Sequence, residues 1–148
     1  MTESRIGLGA RGRQALGVAV LASLAATAAL AAELPAFRRG MWEFQRSIAA
    51  PGPGSEQAAM ASKKCTDPSA DMKRMNAMLT AQGCTISELT AKGNVYTFSS
   101  QCQLQGISSQ TRSVITVESD SAYTVQVTGT TAGKATNELL KARRVGDC

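Results

Sequence analysis

The four cysteines of this chain, Cys65, Cys84, Cys102 and Cys148, could act as nucleophiles, metal ligands or disulfide partners. No two of them form a Cys-x-x-Cys pair, so a redox motif is not indicated. They are widely spaced, whereas a four-cysteine zinc site usually brings its ligands in close pairs, and the chain has no histidine for the other common zinc sets. An even number of cysteines in a small chain with an export signal therefore predicts two disulfides.

The residues around Gly93 indicate which cysteines pair. Cys84 opens the strand-like stretch "CTISELT", Cys102 closes "VYTFSSQC", and the turn sequence "AKGN" lies between them. In an antiparallel hairpin centred on Gly93, Cys84 faces Cys102 at a Cα separation within the range of a disulfide. We therefore predict the disulfides Cys84–Cys102 and Cys65–Cys148.

Three methionines, Met72, Met75 and Met78, stand at positions i, i+3 and i+6 of a predicted helix. Thioether sulfur is a soft ligand that suits Cu(I), and exported proteins encounter copper. The three side chains would spread over roughly 120° of the helix surface, and flexible methionines also fill cores well. The preferred interpretation is therefore a packing role without any bound metal, and Cu(I) handling is the alternative.

Catalysis is not expected from this composition. Without histidine, the chain lacks the commonest general base near neutral pH. The thiols are expected to be oxidised, and no Gly-x-Ser-x-Gly motif is present. We predict a protein that is not an enzyme and that uses no cofactor.

The N-terminal sequence predicts export. "MTESRIGLGARGRQ" carries three arginines, and the uncharged, alanine-rich stretch 15–32 follows, with Ala29 and Ala31 in the spacing that signal peptidase accepts. About 18 apolar residues are marginal for a membrane span, and no basic stop-transfer cluster follows. We expect residues 1–32 to be a signal peptide, cleaved after residue 31 or 32, and the product to be periplasmic or secreted without a stable membrane anchor.

The remaining residues, 33–148, are enough for one domain. Removing the three basic residues and one acid of the leader leaves 13 basic and 10 acidic residues, a formal charge of +3. That charge is small and scattered, so nucleic acid is not an expected partner.

The hydrophobic patterns of residues 33–148 predict one helix among strands. "MWEFQRSI" alternates as a half-buried strand, "AAPGPGSE" reads as a loop, and "QAAMASKKC" reads as a short strand or a brief helix. In "TDPSADMKRMNAMLTAQGC", Thr66 or Asp67 can cap a helix that ends at Gly83. The remaining predicted strands are 84–90, 95–104, 107–118, 122–129 and 135–144, with a helix as the alternative for the last.

These elements predict an α+β fold, in which a curved antiparallel β-meander packs on one helix. Two disulfides are expected to cross-link this fold. A hairpin centred on Asp120 places Val117 opposite Tyr123, Ile115 opposite Val125 and Ser113 opposite Val127, which puts one apolar face on both strands. The predicted core also contains Trp42, Phe44, Phe98 and the helix methionines. Such a sheet can hold a small apolar ligand or present an edge to a periplasmic protein, so we predict a non-catalytic binding module.

Four features of the sequence occur together: "RGMWEF", the cysteine before a Met-rich helix that ends in "GC", "SDSAYTVQV" and the final "ARRVGDC". In this order they resemble a known bacterial exported family, the domain of unknown function numbered 3617. The resemblance covers about residues 36–148; Arg39 and Met41 stand where members usually have Pro and Leu. It implies export and paired cysteines, and it implies no particular activity.

Overall fold

The computed structural model describes residues 32–49 and 58–148. The predicted signal peptide and the predicted loop "AAPGPGSE" lie outside the described residues, except for Ala32 and Ala49. One antiparallel sheet contains eight strands, and one α-helix connects two of them. The elements are β1 (Gly40–Ala49), β2 (Ala58–Thr66), α1 (Pro68–Ala81), β3 (Thr85–Ile86), β4 (Thr90–Lys92), β5 (Val95–Leu104), β6 (Ile107–Ser119), β7 (Ala122–Thr131) and β8 (Lys134–Gly146).

The sheet order is β2-β1-β8-β7-β6-β5-β3, and β4 also pairs with β5. From β5 to β8 the chain forms a meander with tight turns. Two of these turns have two residues with positive φ, Gln105–Gly106 (49° and 80°) and Ala132–Gly133 (50° and 74°), as hairpins with the right-handed strand twist require. The strand prediction for 135–144 is confirmed and its helical alternative is wrong, because β8 is hydrogen-bonded to β1 on one side and β7 on the other.

The predicted register of the β6–β7 hairpin is confirmed. Val117 faces Tyr123, Ile115 faces Val125 and Ser113 faces Val127.

The predicted strand 84–90 is wrong in its middle, because it is divided into β3 and β4. Thr85 faces Gln101, which continues the register expected for Cys84 and Cys102. Nearer the turn, however, Ala91 faces Tyr96, whereas a hairpin centred on Gly93 would place it opposite Val95. The chain reverses in a two-residue turn at 93–94, so the hairpin centre lies after Gly93, and the extra residue is accommodated between β3 and β4.

The core is small and largely aromatic. Five side chains form its buried centre: Phe37, Trp42, Ile115, Tyr123 and Ala142. The partly buried residues packed against them are Phe44, Met72, Tyr96, Phe98, Val117, Val125 and Leu140. Every predicted core residue of the strands is therefore in or against the core. The prediction is wrong for Met75 and Met78, which are 52% and 46% exposed.

The connection through α1 explains why the sheet curves. It starts after β2 at one edge of the sheet and ends before β3 at the other edge, so it crosses one face diagonally. Seven strands laid flat would be about 29 Å wide, whereas a 14-residue helix is about 21 Å long. Gln82, Gly83 and Cys84 all hydrogen-bond back to the last turn of α1, so this linker adds little length. The sheet must therefore curl beneath the helix.

Candidate functional site

A cavity of about 220 Å³ lies between α1 and the curved face of the sheet. We call it the groove. Eight of its lining residues are largely apolar, namely Leu34, Met72, Met75, Phe98, Ile115, Tyr123, Val125 and Leu140. The other two, Asp71 and Asn76, belong to the helix. The groove therefore has an apolar floor from four neighbouring strands and polar groups on the helical wall.

The groove exists because α1 is held at its ends and, among the described residues, packs against the core between them through Met72 alone. Pro68, at its first turn, is the buried residue of the helix. Asp67 caps the N-terminus by accepting a hydrogen bond from the Ala70 N–H (3.1 Å). The predicted packing of the sheet on one helix is thus only approximate, because the helix spans the sheet face and leaves space beneath.

One disulfide stands at each end of the helix. Cys65–Cys148 joins the end of β2 to the second residue after β8, with Cα atoms 5.6 Å apart. Cys84–Cys102 joins the chain just after α1 to β5, with Cα atoms 4.3 Å apart. These are the pairs that the hairpin argument predicts, and together they tie both ends of α1 to the sheet. Two disulfides are typical of a protein that folds in an oxidising, extracytoplasmic environment.

The segment before β1 contributes Leu34 to the lining of the groove. The Phe37 ring packs on the Tyr123 ring with centroids 4.4 Å apart and meets the Trp42 ring edge-on at 6.0 Å. The Phe37 N–H donates to Ser69 Oγ (2.8 Å), and that hydroxyl donates to the Pro35 carbonyl (3.1 Å). The segment is therefore fastened to the first turn of α1 and brings Leu34 into the groove lining.

The sequence prediction missed this contribution. No element was predicted for residues 33–39, although Leu34 and Phe37 are the two large apolar residues of that stretch. Their spacing was the available signal.

Tyr123 is the polar group of the groove floor. Its side chain is almost fully buried (4% exposed), between Phe37 and Trp42. Burial, and secondarily the nearby Asp71 carboxylate, raises the pKa of Tyr123 to about 12. Within residues 32–49 and 58–148 its hydroxyl has no hydrogen-bond partner, and it is not sealed from the groove. Tyr123 is therefore a neutral hydrogen-bond donor among the residues that line the cavity.

Asp71 is held by three groups at the rim of the groove. Its Oδ2 accepts from Thr66 Oγ1 (2.6 Å) and from Lys64 Nζ (3.2 Å), and its Oδ1 accepts from Arg74. The Thr66 hydrogen bond, assisted by Lys64 and Arg74 and opposed by burial, lowers the pKa of Asp71 below its usual value. Both carboxylate oxygens are thus occupied by neighbours from β2 and α1.

The structure does not gather the three methionines at one place. Met72 and Met75 line the groove, whereas Met78 lines a shallow depression on the outer side of the helix, which it shares with Met75. Lys64, Arg74 and Asp71 also line that depression, and the two positive charges outweigh the single carboxylate and oppose the binding of a metal cation. No observation therefore favours the Cu(I) alternative.

In residues 32–49 and 58–148, no helix is long and apolar enough to cross a membrane. The same residues contain no group of three or more Cys, Asp or Glu side chains that could hold a metal ion.

Comparison with known proteins places the chain in a family. The family model described as "Protein of unknown function (DUF3617)" matches residues 37–148. No curated protein and no solved structure matches the chain. The family match covers about three quarters of the sequence and every helix and strand of the fold, and it confirms the resemblance seen in the sequence motifs. The chain therefore belongs to the DUF3617 family.

Proposed function

We propose that this protein is an exported, non-catalytic binding module that holds a small, largely apolar ligand in the groove. The observation that carries the proposal is the open apolar space beneath α1, which remains because the helix is anchored at both ends. Apolar cavities with a few polar groups are the usual form of small-molecule sites.

The volume of the groove limits the size of the ligand. A cavity of about 150 Å³ binds benzene, and sites for drug-sized ligands are typically about 300–1,000 Å³. At about 220 Å³, the groove fits one ring with a small substituent, or a short acyl chain.

The ionisable groups of the groove support a binding role over catalysis. Both oxygens of Asp71 are hydrogen-bonded, and its lowered pKa makes it a weak base. Tyr123 keeps its proton near neutral pH because its pKa is raised. Neither group has a pKa near the working pH of a typical general base.

Export is supported by two features that belong to different parts of the chain. The N-terminal sequence has the composition of a cleaved signal peptide, and the two disulfides suit an oxidising compartment. We therefore propose that the binding module is periplasmic or secreted.

The proposal can be tested with methionine methyl groups as NMR probes. The protein is produced with its own leader in an exporting host, labelled at the methionine methyls and titrated with toluene. The Met72 and Met75 methyls should shift and saturate with a Kd of about 1 mM or lower, a modest affinity for seven heavy atoms. Met60, on β2 and outside the groove, should not shift.

A pair of matched variants shows whether the groove is the binding site. Met75→Trp adds bulk at the groove wall and should abolish toluene binding. Met78→Trp makes the same change at a similarly exposed methionine of the same helix that does not line the groove, and it should bind normally. Absence of saturable shifts in the unmodified protein, or equal inhibition by the two variants, would refute the proposal. Mass spectrometry of an organic extract of the exported protein then identifies any natural ligand.

A further inference from the structure

The hydroxyl of Tyr123 is a hydrogen-bond donor without a protein partner in the described part of the chain. The residue is only 4% exposed, and buried tyrosines usually find a partner for their O–H. Tyr123 lines the groove, and the Asp71 carboxylate, which lines it too, is close enough to the phenol to affect its pKa. A ligand that occupies the groove displaces water from this donor and must replace the lost hydrogen bond.

We infer that the groove selects a neutral ligand whose carbonyl or ether oxygen accepts a hydrogen bond from the Tyr123 hydroxyl, an inference that rests on the proposed function. Tyr123 is then a specificity-determining residue for the class of ligand bound.

The donor is well positioned for this role. The Tyr123 ring is held between Phe37, at 4.4 Å, and Trp42, at 5.6 Å between ring centroids. Its strand, β7, is paired on both sides, with β6 and β8. Little conformational freedom remains to be lost when a ligand binds, which favours a directional hydrogen bond.

The charges around the groove argue for a neutral ligand. Asp71 is the charged residue of the lining, and its carboxylate would repel an anionic ligand that is desolvated beside it. A cationic ligand would find both Asp71 oxygens already engaged by Thr66, Lys64 and Arg74. A neutral oxygen avoids both costs and still satisfies the phenol.

The test compares acetophenone, ethylbenzene and benzoate, which are similar in size and differ in their polar group. Their Kd values are measured by methionine-methyl titration of the full protein with both disulfides intact. Tyr123→Phe should weaken acetophenone binding about tenfold, the effect expected when a carbonyl loses its one hydrogen bond. Ethylbenzene should bind both proteins equally within about twofold, which also shows that the groove of the variant is intact.

A matched variant and the third probe complete the design. Tyr96→Phe removes a hydroxyl from another core tyrosine that does not line the groove, and it should leave all three Kd values unchanged. If Tyr123→Phe leaves acetophenone binding unchanged, or if benzoate binds more tightly than acetophenone, the inference is wrong while the proposed function stands. If none of the three compounds binds saturably, the proposed function and the inference are both wrong.

Discussion

The disulfide Cys65–Cys148 should be the larger of the two contributors to stability. It closes a loop with a sequence separation of 83 residues, against 18 for Cys84–Cys102. The loss of unfolded-chain entropy then corresponds to about 4.5 kcal/mol for the first and about 3 kcal/mol for the second. Cys65 and Cys148 are both exposed, so their replacement removes little packing, and the loop-closure effect is measured almost alone.

Urea unfolding of the double variant Cys65→Ala/Cys148→Ala measures this contribution. The single tryptophan, Trp42, is fully buried and reports the loss of the core by its fluorescence. With an m value of about 1.5 kcal/mol/M, a loss of about 4.5 kcal/mol lowers the midpoint by about 3 M urea. The serine pair, Cys65→Ser/Cys148→Ser, is the control for side-chain polarity and should give the same midpoint.

The outcome that would refute this reasoning is a loss below about 1 kcal/mol with an unchanged m value. It would mean that the unfolded chain already keeps β2 and the C-terminus close together, so that the cross-link removes little of its freedom. A larger loss for Cys84–Cys102 than for Cys65–Cys148 would also contradict the loop-length argument.

Three further predictions concern single residues. Gly129→Ala should lower the free energy of unfolding in urea by about 2–4 kcal/mol, because the added Cβ would lie 2.0 Å from the Gln110 carbonyl oxygen and would force β6 and β7 apart. The control is Gly133→Ala, whose Cβ meets open space at φ 74° and which should cost only about 1–2 kcal/mol. Equal losses for the two variants would contradict the clash at Gly129. The pKa of Asp71 is lowered in the folded protein, so its stabilising effect is complete above pH ~4 and is lost as the pH falls through the folded-state pKa. The difference in unfolding free energy between the native protein and Asp71→Asn should therefore shrink on acidification. A difference that stays constant with pH would contradict this prediction. The pKa of Tyr123 is raised from 10.0 to about 12, so the protein should lose roughly 2–3 kcal/mol of unfolding free energy as the pH rises from 10 to 12. Tyr123→Phe should lack this decline. If the native protein and the variant lose stability equally over this pH range, the assignment to Tyr123 is wrong.

The strands were predictable from the sequence because apolar residues alternate along each strand and fall opposite apolar residues of the neighbouring strand. Val117 opposite Tyr123 is the clearest case, since a shift of one residue would expose the apolar face of both strands. The disulfide partners followed from the same logic, because facing positions in a hairpin lie within bonding range. The error in the strand 84–90 came from the turn, where a two-residue reversal displaced the hairpin centre and required an extra residue before β4.

The helix was predictable as a helix, but its relation to the sheet was not. The methionines of the helix were predicted to join the core, because apolar residues at helical spacing normally mean close packing on a core. In the structure Met75 is half exposed, because the ends of α1 are attached to opposite edges of the sheet. Periodicity reports which face is apolar and cannot report how far that face lies from its neighbour.

The sequence by itself determined the strands, the helix, the pairing of the cysteines and most of the core, because these follow from local patterns and from facing positions in hairpins. Only the tertiary structure decided that the helix spans a curled sheet and that an apolar groove lined by Tyr123 remains beneath it. The physical reason is that the groove depends on the distance between the two edges of the sheet, and that distance results from the twist and pairing of all the strands together.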